Sequence, residues 1–355
     1  MAPLKSSLAR TVGKLLGVQK DRDLSLRGAA QSSRLPEPIS ATGGESTFTE
    51  AGYQVHVYYT GTPAPQKVFN VTSGTGTIEC FLVGSGGSGA YDSGGGGGGG
   101  ACVYGTNIPV NPSTNMAVVV GSAPDGITGY VTTPYIDYAN SHNGKVSSIA
   151  HPEGTINAFG GNSGGNADPG YAANPFTPGV APSDDGGTLG CGGGALNKPA
   201  SPITAGSLLT PYPTPGAGTY NVYRNVGGSV PSEATAPWIG GGGGGAGGAG
   251  QDAGSGPINQ AGNGGDGYDA ATNIVWMTTS YGDSGVFGGG GGAGGNDGTP
   301  QEPGGTGGPG GGGDGTTTGV APSGVANTGG GGGGTDDGST TGGGGSGAVF
   351  IAYRI

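Results

Sequence analysis

Six uninterrupted glycine blocks constrain this chain more than any other feature: Gly94–Gly100, Gly240–Gly245, Gly288–Gly292, Gly310–Gly313, Gly329–Gly334 and Gly342–Gly345. Glycine loses the most backbone entropy on folding and brings no side chain to bury, so such blocks form neither stable α-helices nor ordinary packed strands. Two states remain open to them. They are flexible linkers, or they are extended left-handed threefold helices packed backbone to backbone. What the chain is for depends on which state holds.

Composition narrows the choice. Hydrophobic residues make up 32% of the 355 positions, too few for a large greasy core, yet charged residues make up only 10%, so the pattern is not that of ordinary disorder. The 91 glycines do not recur strictly every third residue and proline numbers only 26, which excludes collagen.

The net charge of −11 is unevenly spread. Residues 1–34 hold seven basic side chains against Asp21 and Asp23, a balance of +5, while the remaining five basic and twenty-one acidic residues give −16. A basic arm on an acidic body predicts docking of the arm on an acidic partner. The arm has no aromatic residue, so base stacking and nucleic acid find little support. Leu4, Leu8, Val12, Leu15 and Leu16 recur at helical spacing, with Lys5, Arg10 and Lys14 largely off that face. The expectation is an anchor helix over residues 4–18, with Arg10, Lys14, Arg22 and Arg27 adding charge to the contact. Residues 35–47 read as a linker and 48–355 as the body.

No apolar stretch approaches the ~18–20 residues of a membrane span. Gly13 and Lys14 interrupt any signal-peptide core, which points to a chain made in the cytosol. Cys80, Cys102 and Cys191 are odd in number and lack CxxC spacing, so they read as free thiols packing as small hydrophobes.

From Phe48 the pattern turns to β. Tyr53–Tyr59 alternates, and strands follow at 67–71, 77–83, 101–104, 108–110 and 116–120, with Ser73–Gly76 reading as a turn. Residues 146–150 and 155–159 form a hairpin about His151–Gly154. The stretch at about 165–235 reads as a long loop insertion. The chain closes on a clear strand at its C-terminus, which predicts a return to the sheet left near Val83. The glycine blocks between are then closed excursions from a β scaffold. Rods of this kind have outward-pointing N–H and C=O groups, and only glycine lets neighbours approach closely enough to exchange them.

This layout resembles the glycine-rich domains of many phage and bacterial surface proteins, and is similar to the extracellular glycine-rich domain of anaplastic lymphoma kinase. The resemblance rests on Ile78–Gly84, the first glycine block, Ala101–Tyr104, the strand pair from Ile108 to Gly121, the hairpin leading to Gly161 and the closing Gly345–Tyr353. It implies an all-β fold, a jelly-roll-like β-sandwich carrying bundled polyglycine II helices, here with a short N-terminal α-helical anchor. The insertion at about 165–235 departs from the family pattern. The first 34 residues resemble the leader of structural proteins of tailed marine phages, which implies docking in a virion with the body projecting outward.

Little points to catalysis. His56, His142 and His151 stand in no HxxxH or triad context, and His56 reads as strand surface. Asp184-Asp185 and Asp336-Asp337 each precede glycine and read as turns before calcium ligands. No glycine run ends in Gly-Lys-Ser/Thr, so a phosphate loop is not indicated. No cofactor or metal is expected. Tyrosine is the enriched type: Tyr130, Tyr135, Tyr138, Tyr171, Tyr212, Tyr220 and Tyr223 fall in expected loops. They suit either an adaptable receptor-facing surface or aromatic pins that hold loops to the body.

The reading is a non-enzymatic virion structural protein, a fibre or spike, anchored by its N-terminus to other virion proteins and presenting its body to host polysaccharide or protein. A homotrimer is expected by analogy alone. The alternatives are a capsid decoration protein that stabilises the shell, and a polysaccharide-degrading spike, which would need a poised acidic pair.

Overall fold

The computed structural model describes residues 37–59, 67–128, 142–165, 191–194, 218–230, 239–254, 260–298, 301–336 and 340–355. The chain divides into two compact units, Met1–Glu37 and Pro38–Ile355. The anchor helix expected over residues 4–18, with Leu4, Leu8, Arg10, Val12, Lys14, Leu15 and Leu16, lies outside the described residues, as do Arg22 and Arg27.

The second unit is all-β. Its strands are β1 (Ser40–Thr42), β2 (Ser46–Glu50), β3 (Tyr53–Tyr59), β4 (Lys67–Ser73), β5 (Gly76–Val83), β6 (Cys102–Val110), β7 (Asn115–Val119), β8 (Ser147–His151), β9 (Gly154–Ala158), β10 (Thr219–Tyr223), β11 (Tyr268–Asp269), β12 (Val286–Phe287) and β13 (Ala348–Arg354). One turn of helix, α1 (Ala270–Asn273), is capped by the Asp269 carboxylate, which accepts from the Thr272 amide at 3.0 Å. A five-stranded sheet runs β1-β4-β7-β8-β9 and a six-stranded sheet β10-β6-β5-β13-β3-β2, with every pair antiparallel.

The two sheets pack face to face. Phe69, Val71, Met116, Val118, Ile149 and Ile156 of the first meet Ile78, Leu82, Val103, Ile108, Val349 and Ile351 of the second. The six-stranded sheet is buried on its other face as well. There Val55, Val57, Phe81, Val83, Phe350 and Ala352 pack against Tyr268, Ile274, Trp276 and Phe287, so segment 268–287 forms a third layer. Burial on both faces explains why β5 and β13 read as near-continuous apolar runs. The C-terminal strand returns as its sequence predicts: Ala348 pairs with Val83 and also with Tyr59, placing β13 between β5 and β3.

Four sequence expectations are corrected. Segment 35–47 is not simply a linker, because β1 pairs with β4 and the Glu45 amide donates to the Val57 carbonyl at 2.9 Å. The insertion at 165–235 is not all loop: β10 pairs with β6, and Cys191–Gly194 and Asn225–Gly228 enter the glycine bundle. The turn at Ser73–Gly76 and the Ile108–Gly121 strand pair are arches between sheets, since β4 and β7 lie in one sheet and β5 and β6 in the other. His56 is 3% exposed rather than on the surface, because both faces of β3 are covered. The β8–β9 hairpin about His151–Gly154 forms as expected.

The sandwich has two unlike ends. The close connections at 51–52, 74–75, 111–114 and 152–153 gather at one end. Residue Ala41, close to where the unit begins, is fixed there by the Tyr353 hydroxyl at 3.3 Å. At the opposite end, β5 runs out into Gly84 and β6 begins after Ala101. The excursions that follow β7, β9 and β10 leave from that same end, and the chain re-enters it at Ala348.

Candidate functional site: the glycine bundle and its far end

Gly94–Gly100 shows how the glycine blocks are held. Amides of Gly94, Gly97 and Gly100 donate to carbonyls of Thr335, Gly332 and Gly329. Those of Gly95 and Gly98 donate to Gly165 and Asn162, and those of Gly96 and Gly99 to Gly241 and Gly244, all at 2.7–3.3 Å. Partners change with a period of three, which is the signature of a threefold extended helix. The carbonyls are taken up by three further segments. Gly291 and Gly294 donate to Gly97 and Gly94, Gly87 and Ala90 donate to Gly98 and Gly95, and Gly194 donates to Gly96. The rod is therefore surrounded by six others.

Gly288–Gly294 has the same environment. Its amides reach the segments at 94–97, 262–265, 310–313 and Thr328, and its carbonyls accept from segments 240–246, 331–334 and 305–308. Neighbours run both parallel and antiparallel: Gly289 and Gly292 pair in step with Gly310 and Gly313, whereas Gly290 and Ala293 pair in reverse with Gly265 and Gly262. At Gly96 and Gly291 packing is tight enough to exclude any side chain. A Cβ at Gly96 would lie 2.0 Å from the Gly291 carbonyl oxygen, and one at Gly291 would lie 2.0 Å from that of Gly332. These segments are rods and not loose coil.

Non-glycine residues in the bundle have a second task. A rod at the rim points donors outward, and polar side chains accept several of them. Asp314 accepts from the Gly307 amide at 2.7 Å, Asp252 from Ser229 at 2.6 Å, Asn263 from Thr306 at 2.8 Å and Asn143 from Ser163 at 2.8 Å. Ser323 and Ser346 hydroxyls accept from Gly343 and Asn327. Part of the body's acidity is thus edge-capping of exposed backbone.

The third layer is fastened to the sandwich at Glu79. This carboxylate sits opposite a register shift in β6 and accepts from Tyr53 Oη at 2.9 Å, Tyr104 Oη at 2.5 Å and Trp276 Nε1 at 2.7 Å. Arg354 Nε donates to the Tyr53 hydroxyl at 3.1 Å. Burial, and then the bond to Glu79, push the Tyr53 and Tyr104 phenols above their ordinary range, so both stay protonated as donors. The hub holds the third layer on the sheet. The three cysteines are free and buried, and burial pushes Cys80 and Cys191 up to about 12, so they pack as inert thiols.

The far end of the bundle is where the rods turn back. Tyr91–Ser93 links two antiparallel rods, with Asp92 and Ser93 at φ 62° and 53°, a strained left-handed pair. Ser93 Oγ donates to Asp336 Oδ1 at 2.9 Å, and the Asp297 amide donates to Asp336 Oδ2 at 2.7 Å, so three rod tips are laced by one buried carboxylate. The Ile127 amide reaches Thr341 Oγ1 at 2.8 Å beside the Thr128–Thr340 bridge.

Of the tyrosines expected in receptor-facing loops, Tyr130, Tyr135, Tyr138, Tyr171 and Tyr212 lie outside the described residues. The flanks of the first three, Thr128 and His142, stand at the far end beside Thr340 and Ser88. Tyr220 and Tyr223 are half-buried on β10 and not in a loop. Tyr223 stacks on Tyr268 with centroids 3.8 Å apart, and Tyr220 packs on the core beside Gly105. These two are pins. Glu79 is the residue that sequence reasoning passed over, and Asp336, read from the sequence as part of a turn, is a buried acceptor between rod tips. Glu79 is detectable as the lone charge in the run Ile78–Val83, where a strand apolar on both faces has no solvent side to offer it.

Among the described residues no group of His, Cys, Asp and Glu has the geometry of a metal site, and no helix is long and apolar enough to cross a membrane. No curated protein matches the sequence. A family model described as a glycine-rich domain matches residues 60–354, which takes in eight of the eleven sandwich strands, all but β1, β2 and β3, and the whole bundle. On that match, and on rods that only glycine can build, the chain belongs to the glycine-rich domain family.

Proposed function

We propose that this protein is a non-enzymatic virion structural component, a fibre or spike that residues 1–34 attach to the particle and whose glycine bundle presents a rigid far end to the host surface. The observation that carries the reading is the polarity of the sandwich. The body chain starts at the end with the close turns, and the rods leave from the other. A seven-residue rod adds roughly 22 Å at ~3.1 Å per residue, so bundle tips stand well clear of the strands. Segments 91–93, 129–141, 166–190, 231–238, 255–259, 295–303 and 336–340 connect successive rods along the chain, and their sequences carry ten acidic residues and no Lys or Arg. With Tyr91, Tyr130, Tyr135, Tyr138, Tyr171 and Trp238 among them, that composition suits a ligand that stacks on aromatic rings and donates hydrogen bonds, as sugar hydroxyls do.

Deleting residues 1–34 tests the assignment. The truncated body keeps the melting transition of the full chain and fails to enter particles. A truncated chain that still assembles overturns the anchor. Copy number from quantitative mass spectrometry of particles reads the location: tens or fewer for a fibre or spike, hundreds for a shell decoration.

A further inference from the structure

Residues 38–45 cross from the five-stranded sheet to the six-stranded sheet as a strap. Its first strand, β1, contributes only three residues to a sheet edge. Two fastenings hold it. Glu45 pairs with Lys67 and accepts from the Tyr59 amide at 3.1 Å. Gly43, at φ 125°, presents its carbonyl to His56 Nδ1 at 2.7 Å. Gly43 permits no substitute, since a Cβ would lie 2.2 Å from the Val68 carbonyl oxygen and 2.6 Å from Tyr58 Oη.

His56 is unusually placed for an ionisable group. Its ring lies edge-on to Phe69 of β4 at 5.2 Å and stacks on Tyr353 of β13 at 5.7 Å. Because Nδ1 faces a carbonyl it carries the proton, and Nε2 is buried without a hydrogen-bond partner. The titratable neighbours on the packed elements are the Tyr353 phenol of β13 and, on its own strand, the Tyr58 phenol, which bonds the Val68 carbonyl at 3.4 Å. The Lys67–Glu45 pair fastens the strap at Glu45, and no carboxylate bonds the His56 ring. A second proton on Nε2 would therefore put an uncompensated charge and an unmet donor inside the sandwich.

We propose that His56 is an acid-sensitive latch for the strap: protonation of Nε2 opens the strap together with the edge strand β2 that it leads into, residues 38–50, while the rest of the sandwich stays closed. The strap holds the one hydrogen-bond partner of the ring, the Gly43 carbonyl, and small edge elements open at lower cost than the global fold. The sign follows from linkage. Burial lowers the folded-state pKa of His56 below its ordinary value of about 6.5. The latch is at full strength above about pH 6.5, weakens as pH falls below that value, and stops weakening once the folded-state pKa is passed.

The test is hydrogen–deuterium exchange of the full chain at about pH 7.5 and about pH 5, corrected for intrinsic rates. Peptides spanning 38–50 lose protection by up to about tenfold per pH unit below about 6.5, while peptides from β5 and β13 are unchanged. In His56→Gln, which cannot titrate, strap protection no longer depends on pH, whatever its absolute level. Strap protection that is equal at both pH values in the native chain overturns the latch, and so does pH dependence retained in the variant. If the variant does not fold, the native imidazole decides by NMR. The latch requires its resonance to titrate below pH 6.5 together with strap amides, and titration without any response from those amides sinks it.

Discussion

Glycine at the rod centres is a steric requirement before it is a conformational one. Gly291→Ala forces a methyl group onto the Gly332 carbonyl and pushes the 288–294 and 329–334 rods apart, so we expect a loss of about 3 kcal/mol or more in chemical denaturation. Gly319→Ala is the contrast. It lies at φ 83° with open space around it, and costs only the about 1–2 kcal/mol of a left-handed residue. Equal losses at the two positions would mean that close packing does not set the requirement. Glu79→Ala leaves two phenols and an indole N–H without their acceptor, for an expected loss of about 3 kcal/mol and release of the 268–287 layer, seen as a rise in Trp276 exposure by fluorescence quenching. Glu79 and His56 show why the sequence hid these roles. Alternation marks an inside and an outside, and in a sheet covered on both faces an ionisable residue at either parity is buried.

The strands that alternation revealed are those with a covered apolar face, β3 to β9 and β13. Those it missed lack that contrast. β2 is almost wholly exposed apart from Phe48, and β10 is five residues inside a Pro/Gly-rich stretch. Turn chemistry marked where the chain bends at 73–76, but no local signal says whether the next strand joins the same sheet or the facing one. The rods were legible as rods only because a closing strand had to return to the sandwich. Which block neighbours which is a property of the whole lattice and is absent from any single block. Amides of Gly97, Gly291 and Gly332, each bonded within the lattice, should exchange as slowly as those of β5. Exchange at unprotected rates there would turn the bundle into loose coil. Rim caps are weaker: Asp314→Ala exposes the Gly307 amide to water that can replace the carboxylate, for a loss of no more than about 1 kcal/mol.

Heat should act on the intact body differently than on an oily domain of equal length. Unfolding the bundle exposes chiefly peptide groups, whose hydration lowers heat capacity, while apolar exposure comes mostly from the two sheets and the layer held by Trp276, with a small contribution from Val230, Ile239 and three alanines buried in the bundle. The heat-capacity change per residue measured by calorimetry on the body should fall clearly below the usual ~12–15 cal/mol/K, and the stability curve should be correspondingly flat. A value in the usual range would mean that unfolding uncovers more apolar surface than the two sheets and that layer hold. The mixed polarity of the lattice has a different consequence. A rod accepts neighbours in either direction, so an excursion that goes out and comes back adds two rods at the rim without altering any residue of the sandwich. Lineages carrying such a scaffold can lengthen, swap or discard tip segments in pairs, and diversify what they present outward while the frame beneath them stays constant.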